Sequence, residues 1–431
     1  MAPSEHSALS DVAAKKAMAR IPTKNLLRSL ALTELMTQGW LLRPSIAFMG
    51  LIAGSRSAFL NPDKNPILNR LLRWTVYNHF CAGTNPREVR QSIAEHKQMG
   101  YQGVILNHAK EILLEHDDAK SAAPGADYSP AYYAMIAKWR EYALNGLAML
   151  QPGDFLSLKL TGAGPIIIHA LQAKGPIPAA MDEALTAICE AAKKQGSRVW
   201  FDAEQTGLQP GVDEWALEMM RRWNRDGQAL VYNTIQAYLK GSTENANRHI
   251  TLAAEQGWTV AIKLVRGAYI EQEPRAMIHD TKEDTDRCYD AIADSLLSRR
   301  LPAEAAARGL EPPAAALFLA THNAPSTTLA CETHRARLVA GLPTCALECG
   351  QLVGMADELG CELIENYERE VADATVARGS VPRAFKYLTW GTVGECMGYL
   401  HRRAIENSGA VEASKHMVAS LRAELWRRMF G

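Results

Sequence analysis

The chain has 431 residues, and its 47 basic residues balance 47 acidic ones, so the formal net charge is zero. This balance provides no positive field that would attract nucleic acid, and we expect no nucleic-acid partner. No run of about 18 apolar residues occurs, so the sequence predicts no membrane-spanning helix. The length suits one α/β barrel with an added helical segment.

The first 75 residues are predicted to form a helical arm. Between Val12 and Thr33 there are five basic residues and no acid, a composition typical of mitochondrial targeting helices. Glu5, Asp11 and the helix-breaking Pro22 argue against that interpretation. A weak targeting signal and an ordinary basic surface helix therefore both remain open.

From about Val76 onward, short apolar or β-branched runs alternate with amphipathic stretches. The predicted strands are Val76–Cys81, Gly103–Leu106, Phe155–Leu160, Arg198–Asp202, Ala229–Ile235, Thr259–Val265, Ala316–Ala320 and Ala384–Leu388, with Pro343–Glu348 as a less clear ninth. The predicted helices include Asn85–Met99, Met181–Gln195, Val212–Asp226, Thr243–Gln256, Asp284–Ala307 and Thr392–Asn407. Glycines such as Gly196, Gly257 and Gly309 follow several helices and suit a left-handed C-cap.

The alternation predicts an α/β fold with a parallel sheet, because most strand candidates are apolar on both faces. Eight or nine strand–helix pairs are too many for a small doubly wound sheet, whereas a (β/α)8 TIM-type barrel leaves no sheet edge exposed. A doubly wound sheet is the alternative. We predict an N-terminal helical arm over 1–75, a barrel over 76–410 with an inserted helical segment at about 110–152, and a C-terminal helix over 411–431.

Charged residues at the ends of apolar strands need a reason, because an unpaired buried charge is costly. Lys159 lies within the run Phe-Leu-Ser-Leu-Lys-Leu, near the end of the predicted strand, and Asp202 and Glu204 follow Arg198-Val-Trp-Phe. Barrels carry their functional residues at strand ends, so Lys159 could hold an anionic substrate. Asp202 could orient a cation or act as a base. A structural ion pair and a helix N-terminal acid are the alternatives.

Two cations three residues apart leave a strand in Ala261-Ile-Lys-Leu-Val-Arg-Gly-Ala-Tyr269. The small residues let backbone amides approach a ligand, and Lys263 and Arg266 can meet a phosphate or the negative charge of a reduced flavin. A solvated strand end is the alternative.

Two further clusters follow. Thr321-His-Asn323 ends a strand and can hydrogen-bond a ribose or a phosphate. Arg402 and Arg403 share a helix face with Tyr399 and Glu406 and suit bidentate capture of a carboxylate, although solvated helices also carry Arg-Arg pairs.

Several common motifs are missing from the sequence. Gly162-Ala-Gly164 follows a strand, but Pro165 and Ile167 break the dinucleotide-binding pattern. Without a P-loop, Gly-x-Ser-x-Gly or His-Glu-x-x-His, phosphoryl transfer, α/β-hydrolase chemistry and zinc proteolysis lose support. The eight cysteines lack Cys-x-x-Cys spacing, so we expect reduced thiols in an intracellular protein and no metal site.

Together these motifs resemble the proline dehydrogenase (proline oxidase) family, in its eukaryotic and especially fungal form. In the family's order, the motifs are Asp202-Ala-Glu204, Asn233-Thr-Ile-Gln-Ala-Tyr238, Lys263-Leu-Val-Arg-Gly-Ala-Tyr269, Thr321-His-Asn323, Gly350-Gln-Leu-Val-Gly-Met355 and Tyr399-Leu-His-Arg-Arg-Ala-Ile-Glu-Asn407. The resemblance covers roughly residues 75–410. It implies a distorted (β/α)8 barrel with FAD across the carboxyl ends of the strands.

The resemblance implies two groups of site residues. The FAD-binding group is Gln236, Lys263, Arg266, Gly267, Ala268, Thr321, His322, Asn323 and Glu406, with Lys263 beside flavin N5. The substrate-binding group is Lys159, Leu264, Tyr269, Tyr387, Tyr399, Arg402 and Arg403. Within it, Lys159 and the two arginines clamp the proline carboxylate. Asp202 and Lys263 match the catalytic positions, and the role of Asp202 stays open.

The implied activity is the FAD-dependent oxidation of L-proline to Δ1-pyrroline-5-carboxylate, with hydride transfer from the ring carbon to flavin N5. A quinone-type electron acceptor, a peripheral membrane contact and a location on the matrix side of the mitochondrial inner membrane follow from the same resemblance. Because the targeting signal is weak, a cytoplasmic location is the alternative.

One departure from the family leaves the substrate open. Thr389-Trp390-Gly391 stands where the family often has Pro-Tyr-Gly, so a proline analogue such as pipecolate or a substituted proline, used in a specialised pathway, is an alternative. Tyr387 argues against a hydroxyproline enzyme. A catalytically silent ligand-binding paralogue is a second alternative. A phosphate-binding aldolase with Lys159 or Lys263 as a Schiff base is a third.

Overall fold

The structure is a computed structural model that describes residues 17–55, 57–109, 128–270, 273–373, 377–409 and 411–430. The chain divides into two compact units. The first unit comprises Met1–Lys110, Gln351–Ala374 and Ala384–Gly431, and the second comprises Glu111–Gly350 and Thr375–Arg383.

Nine strands lie in the described residues. They are β1 (Cys81–Gly83), β2 (Gly103–His108), β3 (Phe155–Leu158), β4 (Arg198–Phe201), β5 (Val231–Gln236), β6 (Val260–Val265), β7 (Ala315–Ala320), β8 (Ala346–Leu352) and β9 (Arg383–Trp390). In the second unit, strands β3 to β8 pair with their neighbours in chain order, all parallel. In the first unit, β9 pairs in parallel with both β1 and β2.

Helices connect the strands, as parallel pairing requires. The α-helices of five or more residues in the described ranges are α1 (Thr23–Thr37), α2 (Gly39–Gly54), α3 (Pro66–Leu72), α4 (Pro86–Gln98), α5 (Pro130–Leu147), α6 (Pro165–Gln172), α7 (Ala179–Gln195), α8 (Gln209–Trp223), α9 (Ser242–Gln256), α10 (Lys282–Leu297), α11 (Ala303–Ala307), α12 (Ala324–Val339), α13 (Asp357–Ala372), α14 (Val393–Gly409) and α15 (Val411–Phe430). A π-helical turn, Arg73–Tyr77, follows α3. Strand β5 is buried at every position, as expected of a sheet covered by helices.

One face of the second unit's sheet is filled by aromatic rings. Phe155, Trp200 and Phe318 contact one another with ring centroids 5.0 to 5.3 Å apart. Behind this layer, the Arg198 guanidinium lies 3.8 Å from the centre of the Phe155 ring and pairs with buried Glu348 at 2.7 Å. These packed rings therefore support the side chains that lie nearer the carboxyl ends of the same strands.

In the first unit, the inner faces of α2 and α3 pack on α14. Ile52 of α2 and Leu68 and Leu72 of α3 share one buried cluster with Tyr399 and Leu400 of α14. Within the described ranges, no helix has both the length and the apolarity needed to cross a membrane.

The structure corrects two sequence-based elements. The strand predicted at Val76–Cys81 was wrong: residues 73–80 are helical, and only Cys81–Gly83 form a strand. The β-branched Thr75 and Val76 favour a strand locally, but helical packing that buries Tyr77 overrides this preference. The predicted helix Asp284–Ala307 is two helices, α10 and α11, separated by a left-handed residue at Arg299 (φ 48°).

Other predicted features agree with the structure. Gly196, Gly257 and Gly309 all have left-handed backbone angles after helices. The ninth strand is well formed as β8, and α15 occupies the predicted C-terminal helix. The helical insertion at about 110–152 lies partly outside the described residues, and its described part contains α5. All eight cysteines are buried and free of disulfides. The predicted domain bounds stay a prediction.

Candidate active site

Three charged side chains meet at the carboxyl ends of the second unit's strands. Lys159 follows β3, Asp202 follows β4, and Lys263 lies in β6. Asp202 forms an ion pair with Lys263 and lies 3.6 Å from the Lys159 ammonium. The three side chains are only 5% to 11% exposed. The trio itself carries a net charge of +1, which favours an anionic ligand beside it.

Tyr269 is attached to this trio. The Lys159 ammonium donates to the Tyr269 hydroxyl at 2.9 Å and to the Ala203 carbonyl at 3.2 Å. The Tyr269 hydroxyl in turn donates to the Ala203 carbonyl at 3.1 Å. This triangle fixes the Lys159 ammonium, and it places two of the three predicted substrate-binding residues of the second unit, Lys159 and Tyr269, side by side.

Lys263 lies over the aromatic layer. Its ammonium is 4.3 Å from the centre of the Trp200 ring, which is a cation–π distance. Burial lowers the pKa of Lys263, and the Asp202 carboxylate opposes that shift. The charge on Lys263 therefore depends on Asp202.

Glu204 has a structural role in the site, because its hydrogen bonds connect neighbouring segments of the chain. Its carboxylate accepts hydrogen bonds from the Thr161 amide and hydroxyl at 3.2 to 3.3 Å, and its own amide donates to Gln209. Gln209 donates to Asp213, which also accepts from Asn233 in β5. This buried network joins the segments that follow β3 and β4 to the middle of β5, and it holds the backbone next to Asp202 in place.

Gln236, at the end of β5, offers a buried donor. Its side-chain oxygen accepts from the Ala268 amide at 3.1 Å, whereas its side-chain nitrogen is buried without a hydrogen-bond partner among the described residues. A β carbon at Gly267 would lie 2.5 Å from the Tyr238 ring, so this turn needs glycine. An unpaired buried amide is costly, and a bound acceptor would satisfy it.

Arg266 directly follows β6, at the same carboxyl end of the sheet as Gln236. It pairs with Asp286 of α10 and donates to the Ser326 hydroxyl at 2.8 Å. Asn323 caps α12 by accepting from the Ser326 amide, and Thr321 supports Asn323. Thr321 is buried, whereas His322 is exposed. The Nε of Arg266 is also buried without a described partner, so Arg266 and the N-terminus of α12 together suit an anionic group.

Leu264 lies on the other face of β6 from Lys263. It is completely buried, and its carbonyl accepts from Tyr289 at 3.3 Å. Strand alternation puts Val265 on the face of Lys263 instead. A direct contact between Leu264 and the substrate stays a prediction. Val265, which shares a face of β6 with Lys263, is better placed to contact a substrate beside Lys263.

The remaining predicted residues lie in the first unit. Tyr387 is half-buried in β9, and Tyr399 and Arg403 are buried on α14. The Arg403 guanidinium lies 5.3 Å from the centre of the Tyr399 ring, which agrees with the predicted shared helix face. Arg402 is half-buried beside them. The side chain of Glu406 lies outside the described residues.

The second unit's residues fit a flavin dinucleotide. Gln236 offers a buried donor for a polar ring, Lys263 offers a cation, and Arg266 with the capped end of α12 offers anion-binding groups. In the part of the chain that the structure describes, no cluster of three histidine, cysteine or acidic side chains could hold a metal ion.

Sequence reasoning missed Trp200, Asp286 and Lys386. Trp200 and Asp286 gave no local signal, because their importance comes from Lys263 and Arg266, which are distant in sequence. Lys386 did give one: it is a charged residue in the apolar strand Ala384–Leu388, the same signal that identified Lys159.

Comparison with known proteins identifies the relatives of this chain. The proline dehydrogenase family model matches residues 89–416. A probable mitochondrial proline dehydrogenase of Schizosaccharomyces pombe is 26% identical over 94% of this chain and 88% of its own length. The carbapenem antibiotics biosynthesis protein CarD of Pectobacterium carotovorum is 30% identical over 68% of this chain and 73% of its own length.

Among solved structures, proline utilization A (PutA) from Bdellovibrio bacteriovorus matches 92% of this chain with a TM-score of 0.60 and 19% identity. This chain spans 41% of that protein. The likeness shows the fold, a closed barrel of eight parallel strands with flanking helices, and the predicted (β/α)8 barrel is confirmed.

Proposed function

Because the chain belongs to the proline dehydrogenase family of oxidoreductases, we propose that it oxidises L-proline to Δ1-pyrroline-5-carboxylate with FAD as cofactor. The observation that carries this proposal is the buried trio in which Lys159 and Lys263 share Asp202. Its charge suits both a substrate carboxylate and an electron-rich ring.

Gln236, Lys263, Arg266 and the Thr321–Asn323 turn would hold FAD, together with Gly267, Ala268, His322 and Glu406. When bound, FAD supplies the hydride acceptor, the flavin N5 atom. Asp202 keeps Lys263 charged and oriented. Because two ammonium groups already engage its carboxylate, we assign Asp202 to positioning, and solvent takes the proton from the substrate nitrogen.

Lys159 would bind the substrate carboxylate, and so would Arg402 and Arg403. A carboxylate fixed by several donors orients the ring carbon for transfer, which is where most of the rate gain from positioning arises. Tyr269, Tyr387 and Tyr399 would surround the apolar ring and exclude water. A double-mutant cycle between Lys159→Met and Arg402→Met tests whether both residues bind one carboxylate, because residues that share a bound group have non-additive effects on KM whereas independent residues have additive ones.

The direct test is anaerobic bleaching of the flavin. We expect purified protein to be yellow and L-proline to remove its absorbance near the flavin maximum. Lys159→Met should mainly raise KM, whereas Lys240→Met, which removes a half-exposed lysine paired with Asp280, should not. A colourless protein that FAD cannot reconstitute would contradict the proposal, and a yellow protein that no cyclic amino acid bleaches would point to a silent paralogue.

A proline analogue is the second candidate substrate. Trp390 replaces the tyrosine that the family often has, and it packs on His108 with ring centroids 4.7 Å apart. The relative CarD is named as a carbapenem biosynthesis protein, which fits use of this fold in a specialised pathway. Bleaching rates with proline, hydroxyproline, pipecolate and N-methylproline decide between the candidates.

For the electron acceptor we propose a membrane quinone, reached through a peripheral contact of the N-terminal arm. On α2, the exposed Trp40, Phe48 and Leu51 lie within one helix face. Ile67 and Leu71 of α3 form a second exposed row that continues to Trp74. Residues 35–87 contain six basic residues and one acid, which suits an anionic lipid surface.

Co-sedimentation with vesicles tests this contact. Trp40→Ser combined with Trp74→Ser should reduce binding to anionic vesicles, whereas Val339→Ser, at an equally exposed apolar residue of the second unit, should not. If a short-chain quinone fails to reoxidise the bleached flavin, the proposal that a quinone accepts the electrons is contradicted. The matrix side of the inner membrane remains our proposed location, and an imaging experiment with the full chain distinguishes it from the cytoplasm.

A further inference from the structure

Lys386 is a buried ammonium that the proposed chemistry does not use. It lies in β9 directly before Tyr387 and is 2% exposed. Its ammonium donates to the Met355 carbonyl at 2.9 Å and pairs with Asp357 at 2.8 Å. A longer contact of 3.4 Å reaches the Leu352 carbonyl. One side chain therefore contacts both ends of the loop between β8 and α13.

That loop has a backbone conformation that needs support. Gly354 has φ 75°, and a β carbon there would lie 2.8 Å from the His79 ring and carbonyl. Ala356 is also left-handed, with φ 47°, although it carries a side chain. A left-handed residue other than glycine is disfavoured, so contacts from outside the loop must keep it in this shape.

The loop is also bonded to Tyr387 itself. The Val353 amide donates to the Tyr387 carbonyl at 3.1 Å, next to the Lys386 contacts. Two neighbouring residues of β9 thus hold the loop, one through its backbone and one through its ammonium. A shift of the loop would strain or break this hydrogen bond to the backbone of Tyr387.

There is room for such a shift. A cavity of about 100 Å³ adjoins the loop and is lined by Val353, Gly354, Asp357 and Lys386, together with His79 and His96. A loop released from Lys386 could relax into this space at positions other than Gly354, which packs closely against His79.

We propose that Lys386 and Asp357 act as a positioning pair that fixes the loop after β8 and, through it, Tyr387, and that the pair thereby sets the ring size of the cyclic amino acid accepted. The inference rests on the proposed function in assigning Tyr387 to the substrate ring. The attachment of the loop does not depend on that assignment.

The experiment compares the flavin-loaded wild type with the double variant Lys386→Met/Asp357→Asn, which removes both charges together. Asp357→Asn alone is the milder second variant if the double variant does not fold. Glu424→Gln is the matched control, since it removes a buried carboxylate paired with Arg427 and Arg428 in the same unit, on α15. The readouts are amide hydrogen exchange of residues 352–357 and kcat and KM for L-proline and pipecolate.

We expect the Val353 amide to exchange about ten-fold faster or more in the double variant, as loss of charged hydrogen bonds allows. The preference for proline over pipecolate should fall by about ten-fold, mainly through KM for proline, with kcat changed less than about three-fold. Glu424→Gln should change neither readout.

Unchanged exchange in a folded variant overturns the proposal, and so does faster exchange with an unchanged substrate preference. If the wild type oxidises no cyclic amino acid, the proposed function fails, but the exchange data still decide whether the pair holds the loop.

Discussion

The chain contains two lysine–aspartate pairs, each built on a buried lysine, in different surroundings. Lys263 and Lys386 both lie within parallel strands, with side chains only 5% and 2% exposed. Asp202, the partner of Lys263, is shared with a second lysine. Among the described residues, Asp357 pairs with one lysine, Lys386, whose ammonium also donates to backbone carbonyls.

This difference shows how context decides the use of a buried charge. Burial alone would raise the pKa of Asp357, but the Lys386 ammonium outweighs it and holds that pKa below its usual range. In that pair one ammonium faces one carboxylate, and the ammonium also donates to backbone carbonyls of the loop after β8. The trio around Asp202 has two cations for one carboxylate and suits an incoming anion. A charge in an apolar strand therefore predicts a buried partner, but not its purpose.

The largest expected effect is on stability, and it separates the two pairs. Lys386→Met leaves the partly buried Asp357 with no other lysine or arginine ion-pair partner among the described residues, so the free energy of unfolding should fall by about 3–5 kcal/mol. Lys263→Met should cost less, because Lys159 stays 3.6 Å from Asp202. Urea unfolding of the flavin-loaded proteins measures both losses, and equal losses would contradict the comparison.

The next effect is on activity. Asp202→Asn should slow flavin bleaching by L-proline by about 100- to 1,000-fold, as expected when a preorganised electrostatic group is removed. Because Asp202 opposes the lowering of the pKa of Lys263, its loss should also move the alkaline limb of the rate profile to lower pH. Stopped-flow measurement of flavin bleaching across pH tests this prediction. An alkaline limb at the same pH as in the wild type would show that Lys263 is not the group that titrates there.

A third effect concerns pH and the cavity next to Lys386. Burial lowers the pKa of His79 to about 4; Asp357 and the Gly354 carbonyl oppose this shift, and Arg28 and Lys386 add to it. Between pH 6.5 and 4 the unfolded chain therefore binds a proton that the folded protein does not. His79 should reduce stability by about 3 kcal/mol across this window and have little effect above it.

His79→Gln keeps a hydrogen-bond donor for the Gly354 carbonyl and should flatten that part of the stability profile. Chemical unfolding at several pH values checks the slope. A slope as steep as in the wild type would show that His79 is not the group that titrates.

The smallest effect is on cofactor affinity. Gln236→Leu removes the buried amide that has no described partner for its nitrogen. We expect the dissociation constant for FAD to rise about ten-fold, with little change in melting temperature, because one hydrogen bond to the ligand is lost. Fluorescence titration with FAD measures this, and unchanged affinity would remove Gln236 from the flavin site.

Much of the fold followed from local patterns. Apolar runs marked the strands, glycines marked helix ends, and their alternation predicted the barrel, because a covered parallel sheet leaves this imprint on a sequence. The pattern failed at Val76–Cys81, where β-branched residues favour a strand but a helix buries Tyr77. Strand propensity reflects packing surroundings, and a short run does not reveal them.

The sequence alone thus determined the fold class, the family and the strand ends at which Lys159, Asp202 and Lys263 lie. Only the tertiary structure decided which charges meet. Lys263 and Asp202 are 61 residues apart, and Arg266 reaches Asp286 on a separate helix. Periodicity assigns a residue to a face, whereas its partner depends on strand register and helix packing, which are properties of the whole chain.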